Sequence, residues 1–423
     1  MKAYGVIVFC AVVLLLSYWL MVWMWKWRSR AMGIMTRTFH PVGQGAFYTE
    51  KFDFGFGCKL NIVYDCGTLA QCGFKDMQRV VDEAFAKDEQ IDGVFISHFD
   101  SDHANGFPML FRRVGQRVGH IFLPHLTDRD VLVNLVAKRF DAKEIEYAKA
   151  YLEFRDAGDG TNMFDCLGIG ARRENGPRIH LVGGEEERDG ANKQDRGYDR
   201  VKSGEDVASR FFGVSLPTGG VVSFWRYIPF NFDTRNGTKR NAFEKSIDDY
   251  LRGRSIKEVL NSQASLEELK RRYDKDVPGD INGNSMTLLS CARAPWLDGL
   301  ASYCHCESAL GQGRRIMRCG CLYTGDYNTK GRRRWESLWR TYAPYIGEVG
   351  CVQLPHHGSD GNYNDLLGEL DAVFVACYGK RNTFQHPGPR TMYHLGMKRR
   401  TTILVTEDDK SRFVQVMRFP FPV

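Results

Sequence analysis

The 423-residue sequence has no internal repeat of fixed period and no low-complexity tract, which excludes solenoid arrays. Cysteine is sparse. Twelve in a chain of this length are too dilute for a disulfide scaffold, so most are read as reduced thiols. Neither sign of charge dominates, because 58 Lys and Arg against 51 Asp and Glu leave an excess of only +7. That excess names no nucleic-acid partner, but it is compatible with an anionic substrate wherever the basic residues cluster. At 43% apolar and 26% charged residues, the composition excludes disordered, collagen-like and coiled-coil classes. The length is ample for a sizeable core and allows two or three domains, or one large domain with insertions.

One long uncharged run is present. Tyr4 to Trp25 carries 22 residues without a charge and, as a helix, reaches about 33 Å, enough for a bilayer core. A cleavable signal peptide would have a shorter apolar region followed by small residues. Here Trp23, Trp25 and Trp27 follow with Lys26, Arg28 and Arg30, the pattern of an uncleaved anchor with an aromatic belt. Cations after the span outnumber Lys2 before it. The expectation is therefore a single-pass membrane protein with its large domain in the cytosol.

Beyond the anchor and its basic flank (1–30), short apolar strands alternate with helical stretches, the mark of an α/β layered domain. Lys59 to Tyr64, Ile91 to Ser97 and Ile121 to Leu123 read as strands, and Phe74 to Ala86 and Val131 to Phe154 as helices. From 156 to 280 glycines and charges crowd in, including Glu185, Glu186 and Glu187, and apolar periodicity is lost. This reads as a loop-rich insertion between a first half (31–155) and a second half (281–423). Within it Val221 to Phe230 is strand-like, and Ser265 with Glu268 predicts a capping box at a helix start. From Ser285 the strand pattern resumes in SMTLLSC, CLYTGD, VGCVQLPHH, DAVFVACYG and TTILVTE.

The sharpest chemical signal is His98-Phe99-Asp100-Ser101-Asp102-His103, directly after an apolar strand. A buried strand end carrying two carboxylates and two imidazoles needs a cation to neutralise it. Three later strands deliver further ligand-type residues at their ends: Asp326 in TGD, His356 and His357 in HHGS, and His386 in Asn382-Thr383-Phe384-Gln385-His386. Singly, each is a weak signal, since a lone Asp after Gly is usually a turn residue and a lone His more often a satisfied polar group. Together they suffice for two metal ions.

In this order, HxDxDH, TGD, HHGS and a final HP resemble the metallo-β-lactamase fold, and specifically the hydrolase domain of the ComEC family of DNA-uptake proteins. Val42-Gly43-Gln44-Gly45, Ile62-Val63-Tyr64-Asp65-Cys66-Gly67 and Asn282-Gly283-Asn284-Ser285 extend the likeness, which covers about residues 38 to 126 and 281 to 407. It implies a four-layer αββα sandwich with the metals at the sheet edge between its halves. Where the fold-wide motif is HxHxDH, Asp100 here replaces an imidazole. Residues Asn282 and Asn284 stand where many members place another His, which tilts the expected metal from Zn²⁺ toward Mn²⁺. The insertion has no counterpart in that family, nor has the chain its multiple membrane spans, so a channel role is not implied.

The expected activity is a membrane-anchored phosphodiesterase or nuclease using a dinuclear, metal-activated hydroxide. His98 and Asp100 are assigned to one metal, Asp102 and His103 to the other, with Asp326 bridging and His356 or His357 completing the set. Asp102 orients the attacking hydroxide, and His386 touches the phosphate or protonates the leaving group. Nucleic acid is favoured as substrate by a basic stretch near the metal residues: Arg314, Arg315, Arg318, Lys330, Arg332, Arg333, Arg334 and Arg340, interleaved with Trp335 and Trp339. Arg332 to Arg334 and Asn382 are its candidate contacts. The same pattern also reads as a solvated helix face with its tryptophans in the core. Cys304, Cys306, Cys319 and Cys321 form two Cys-x-Cys pairs that either hold a structural Zn²⁺ or are buried thiols. Two other functions remain open: a small-molecule ester, lactone or thioester hydrolase on the same metals, and a non-catalytic membrane-tethered sensor or scaffold.

Overall fold

The computed structural model describes residues 17–19, 32–55, 57–69, 76–115, 117–137, 142–157, 161–167, 176–183, 198–215, 221–232, 242–276, 285–293, 302–306, 314–316 and 318–420. Of the apolar run Tyr4 to Trp25 only 17–19 are among them, so the expected anchor lies outside the described residues. Among the described residues no helix is long and apolar enough to cross a membrane. The expected Glu185 to Glu187 cluster and Asn282 to Asn284 also lie outside them.

Two large sheets organise the chain. The first contains β1 (Met32–Phe39), β2 (Phe47–Asp53), β3 (Lys59–Cys66), β4 (Ile91–Phe95), β5 (Val118–Pro124), β6 (Arg178–Val182) and β7 (Asp199–Val201). After a short hairpin, β8 (Val214–Ser215) with β9 (Val221–Val222), the second sheet begins with β10 (Trp225–Phe230) and β11 (Thr287–Ala292). The chain then adds β12 (Ser302–Cys306) and β13 (Arg314–Ile316) to the first sheet and β14 (Gly320–Tyr323), β15 (Val349–Gln353), β16 (Val373–Cys377) and β17 (Thr402–Val405) to the second. A last strand, β18 (Phe413–Pro420), returns to the first. The strand orders are β13-β12-β18-β1-β2-β3-β4-β5-β6-β7 and β10-β11-β14-β15-β16-β17.

Neighbouring residues on one strand face opposite layers, and this builds four of them. Phe95, Leu288, Tyr323 and Val375 pack in the apolar layer between the sheets. Their neighbours point away. Val94 joins the core beneath the first sheet, shared with Val80, Leu110, Leu132 and Tyr151 of the helices there. Leu289, Leu322 and Phe374 join the core outside the second sheet, under Trp335 and Leu338 of the helix Arg332–Tyr342 and Leu395 of the helix Pro389–Met397. The resulting order is helices, sheet, sheet, helices.

Several expectations shift in detail. The helical stretch Val131 to Phe154 is two helices, Asp128–Ala137 and Ala142–Ala157. The capping box forms at Ser255 with Glu258, while Ser265 lies inside the helix Gln263–Asp276; the Ser-x-x-Glu signal occurs twice, and only the first opens a helix. The stretch read as an insertion is woven into the fold, since β6 pairs with β5, β10 pairs with β11, and Ile247, Ile256 and Leu269 enter the core beneath the first sheet. The two Cys-x-Cys pairs part company: β12, with Cys304 and Cys306, forms a hairpin with β13 in the first sheet, and β14 with Cys321 belongs to the other sheet. Cys319 and Cys321 are buried between the sheets, and the side chains of Cys304 and Cys306 lie outside the description.

A buried ion pair also ties the sheets together. Arg37 Nε donates to Glu50 Oε1 at 2.7 Å, and Glu50 further accepts from Tyr227 Oη (2.6 Å), Tyr323 Oη (2.9 Å) and Ser290 Oγ (2.7 Å). Arg37 also donates to Gln415 Oε1 and the Cys319 carbonyl. The partners come from β1, β2 and β18 of one sheet and from β10, β11 and β14 of the other, so the network fixes how the sheets stack.

Candidate metal centre

The parallel strands β3 and β4 end side by side, as do β14, β15 and β16, and the loops leaving these ends meet. Backbone contacts lock the two groups of loops together. Met286 N donates to the Ser97 carbonyl at 2.8 Å, His356 N to the Gly325 carbonyl at 2.9 Å, and Ala46 N to the Asp102 carbonyl at 3.0 Å. Gly325 makes the approach possible: its φ is +52°, and a Cβ there would lie 2.5 Å from Ser285 Oγ and 2.9 Å from Tyr64 Oη. Gln353 Oε1 accepts from both Thr324 N and Gly325 N, which holds the turn that presents Asp326.

Two donor groups result. His98, His103 and Asp326 form one, and Asp102, His103 and His357 the other, all buried, each with its donor atoms within 4.8 Å of one another. Asp326 is central: its Oδ1 is 3.1 Å from His103 Nε2, and its Oδ2 is 3.6 Å from both His98 Nε2 and His356 Nε2. Asp100 Oδ2 lies 3.2 Å from His98 Nε2, and Asp102 Oδ2 lies 3.1 Å from His357 Nε2. His103 belongs to both groups, where the sequence assigned it to one, and of the two histidines left open it is His357 that stands with Asp102. His386 joins at the rim, its ring 5.1 Å from that of His356 and 5.9 Å from that of His357.

The imidazoles are held from behind. His103 Nδ1 donates to Asp65 Oδ2 at 2.8 Å, His98 Nδ1 to Ser97 Oγ at 2.8 Å, and His357 Nδ1 to the Cys377 carbonyl at 2.8 Å. Ser97 Oγ in turn donates to Asp65. With each Nδ1 engaged, every Nε2 faces inward, the arrangement that orients metal-binding histidines. Asp65, His356 and His357 all have positive φ, near +54°, +48° and +57°. Strain of that kind on non-glycine residues collects at functional sites.

A divalent cation fits the residues present. His98 Nε2, His103 Nε2 and Asp326 Oδ1 are buried and have no hydrogen-bond partner, although such groups are costly to leave unmet. Electrostatics agrees. Burial and His103 work against a charge on His98, yet Asp100 and Asp326 outweigh them and raise its pKa to about 9. Burial would raise Asp326, but His356, His103 and His98 hold it well below the usual carboxylate range. The cluster gathers positive charge around a carboxylate, and a metal would release those protons.

The rim residues are more varied. Burial, with His357 and His356 alongside, lowers His386 to about 4, so it is neutral near pH 7. Gln44 Oε1 accepts from Gly379 N, which turns its Nε2 toward His386 Nδ1 at 3.4 Å. His386 Nδ1 is therefore an acceptor, and its hydrogen sits on Nε2. Asn382 uses its amide to shape this loop: Oδ1 accepts from Phe384 N and His386 N, and Nδ2 donates to the Gly379 and His386 carbonyls. It is a loop-former here, not a free contact. Arg332, 90% exposed on its side chain, pairs with Glu336; Arg333 is exposed; the Arg334 guanidinium lies over Phe232 and Tyr327. Trp335 is 9% exposed in the outer core, which answers the sequence alternatives for that residue, while Trp339 stacks on it and is 37% exposed.

Asp65, Ser97, Ser285 and Gln44 carry no metal-ligand signature of their own, and from the sequence alone they have no role in the site. Ser285 Oγ accepts from Asp326 N at 3.0 Å. Only the position of Asp65 at the end of an apolar strand, and of Gln44 between glycines, marked them.

Fold and centre together define a mixed α/β protein of two sheets with a buried His/Asp cluster suited to divalent metal. No protein-family model matches the chain, and no curated protein matches it. Among solved structures it is similar to the long form of RNase Z from yeast (10% identity, TM-score 0.31, covering 82% of this chain and 36% of that one). It is also similar to the human short-form tRNase Z (12%, 0.34, 92% and 100%) and to the hydrolase AbOPH of the beta lactamase superfamily (11%, 0.21, 49% and 68%). The chain thus spans about a third of the yeast enzyme's length. Likenesses this distant assign no role to any residue of the centre.

Proposed function

We propose that this chain is a metal-dependent phosphodiesterase of metallo-β-lactamase type, with ComEC-like motifs, that cleaves nucleic acid. In the same reading the Tyr4 to Trp25 run anchors it in a membrane, with the hydrolase domain in the cytosol. The observation that carries the reading is the convergence of three unpartnered buried donors, His98 Nε2, His103 Nε2 and Asp326 Oδ1, from the two halves of the chain.

His98, Asp100, His103 and Asp326 would hold one ion, and Asp102 and His357 a second, with His356 beside Asp326. Divalent ions there supply a water acidic enough to attack at neutral pH and offset charge growing on the phosphoryl oxygens. The chain's own groups do the rest. Asp102, within 3.9 Å of His103 Nε2 and 3.1 Å of His357 Nε2, orients the attacking water. His386, neutral and with Nε2–H free of Gln44, donates to a phosphoryl oxygen; its neutral ring favours this role over protonating the leaving group. Asp65 and Ser97 keep His103 and His98 aimed. Phe384, 54% exposed and stacked on the His386 ring at 5.8 Å, offers a face for a base at the rim.

The test supplies the purified full-length chain with Mn²⁺ or Zn²⁺ and a panel of single-stranded, double-stranded and model phosphodiester substrates. Cleavage abolished in Asp102→Ala with the far-UV spectrum retained is expected. Full activity in that variant would remove the mechanism.

A further inference from the structure

The helix Arg332–Tyr342 opens with three arginines, and successive residues of a helix turn by about 100°, so their side chains leave it in different directions. The Arg332 side chain is 90% exposed and bonds to Glu336 one turn on, and Arg333 is exposed as well. Arg334 is half-buried. Its guanidinium carbon lies over two aromatic rings, 4.9 Å from the centroid of Phe232 and 5.7 Å from that of Tyr327.

Both rings adjoin the metal centre. Tyr327 follows Asp326 directly, and its Oη donates to the Arg334 carbonyl at 2.8 Å, which pins the start of the helix to the loop that presents that carboxylate. Phe232 follows β10, whose pairing with β11 runs up to Phe230 opposite Thr287. Two residues before Thr287 stands Ser285, whose Oγ accepts from Asp326 N at 3.0 Å. The Phe230 ring, 6.0 Å from that of Tyr327, extends the aromatic ledge beneath the cation. Arg334 is thus held beside the centre from two directions, through the neighbours of Asp326 and of Ser285. Stacking on aromatic faces fixes the plane of a guanidinium, and its fork of N–H donors in that plane matches a phosphate. A neutral ester or lactone at the metals offers such a cation nothing. A phosphodiester chain brings a second phosphate next to the one being cleaved.

We propose that Arg334 takes the phosphate neighbouring the scissile one, so that the centre is built for a phosphodiester chain rather than for an isolated phosphodiester. The inference rests on the phosphodiesterase reading above and deepens it. Arg334 is a specificity residue that acts on the strand, away from the reacting atoms.

The experiment uses two short thymidine strands of equal length, one with phosphates throughout and one in which uncharged methylphosphonates flank a single central phosphate. Cleavage at the central linkage is measured as kcat/KM with the full-length chain and Mn²⁺. The expected result is a preference for the charged neighbours of about tenfold or more, the size of a hydrogen bond to a charged group. In Arg334→Gln that ratio falls toward one, with the change mostly in KM, while in Arg332→Gln it is kept. Each variant is read as a ratio within one preparation, so partial unfolding does not imitate the effect. Equal cleavage of the two strands by the unaltered protein, or an equal fall of the ratio in Arg332→Gln, overturns the inference and leaves the phosphodiesterase reading standing. If neither strand is cleaved with Mn²⁺ or Zn²⁺, that reading falls and takes this inference with it.

Discussion

Two charged clusters are buried in this molecule, and they are built to opposite rules. Around Glu50, both carboxylate oxygens are saturated: Arg37, Tyr227, Tyr323 and Ser290 all donate to them. Around Asp326, the neighbouring His98 and His103 each leave Nε2 unpartnered, as Asp326 leaves Oδ1. A network whose carboxylate is filled by its own side chains, with Arg37 Nη2 alone left unpartnered, serves packing and stacking of the sheets. One left incomplete in a tightly held frame serves a guest. Asp65, Ser97, Ser285 and Gln353 show that the frame around the second cluster is itself well bonded.

Breaking the incomplete cluster should give the largest effect on function. Asp326→Ala removes the carboxylate common to three histidines; loss of metal from the purified protein and loss of all hydrolysis are expected, with unfolding by urea little changed. Breaking the saturated cluster should do the reverse. Glu50→Gln leaves Arg37 buried without its counter-charge and is expected to cost about 3–5 kcal/mol in urea unfolding. The folded fraction should still bind the same number of metal ions as the unaltered chain. A metal content that drops with Glu50→Gln in folded protein would erase the contrast.

Smaller effects sharpen it. Asp65→Asn keeps the shape behind His103 but weakens its hold, and metal affinity is expected to fall about 10- to 100-fold by titration against a chelator. A third buried group supplies a pH test away from the metal centre. His180 accepts or donates one hydrogen bond with His120 at 2.9 Å, and burial, with His120, Arg210 and Arg178, lowers it to about 3. The unfolded chain binds a proton there near pH 6.5 that the folded chain refuses. Stability from this residue is therefore complete above pH 6.5 and is lost as the pH falls toward 3. In His180→Phe, which has Phe122 and Phe211 as neighbours, the decline in Tm between pH 6.5 and 4 should flatten. The smallest effect expected is at the surface. Reversing Arg332, Arg333 and Arg334 should reduce the slope of log K against log salt by at most about 3 for duplex DNA. An unchanged slope would assign those residues to a solvated helix face.

The buried His/Asp cluster was legible because its residues interrupt apolar strands with charge: HFDSDH, TGD and HHG stand where a buried strand would otherwise end in an ordinary turn. The strands β3, β4, β5, β11, β14, β15, β16 and β17 were legible for the same reason, being continuous apolar runs. The antiparallel strands β1, β2 and β18 were not, since their alternation mixes residues such as Arg37 and Glu50 that are polar yet buried. Serines whose hydroxyls tie the frame together, such as Ser97 and Ser285, look like any loop serine until their partners are in place. Trp335 beside three arginines suggested a nucleic-acid track with equal force, and the helix turns that side chain into the outer core. The left-handed backbone at His356 and His357 has no sequence signature beyond the glycine that comes next.

The most direct test of the central claim is a metal count on the full-length chain, by native mass spectrometry after exposure to Mn²⁺ or Zn²⁺ and removal of the excess. Two divalent ions per chain, both absent from Asp326→Ala, are predicted. A folded preparation that retains no ion under either metal, or an Asp326→Ala chain that retains two, would contradict the claim that His98, His103 and Asp326 are held open for a cation.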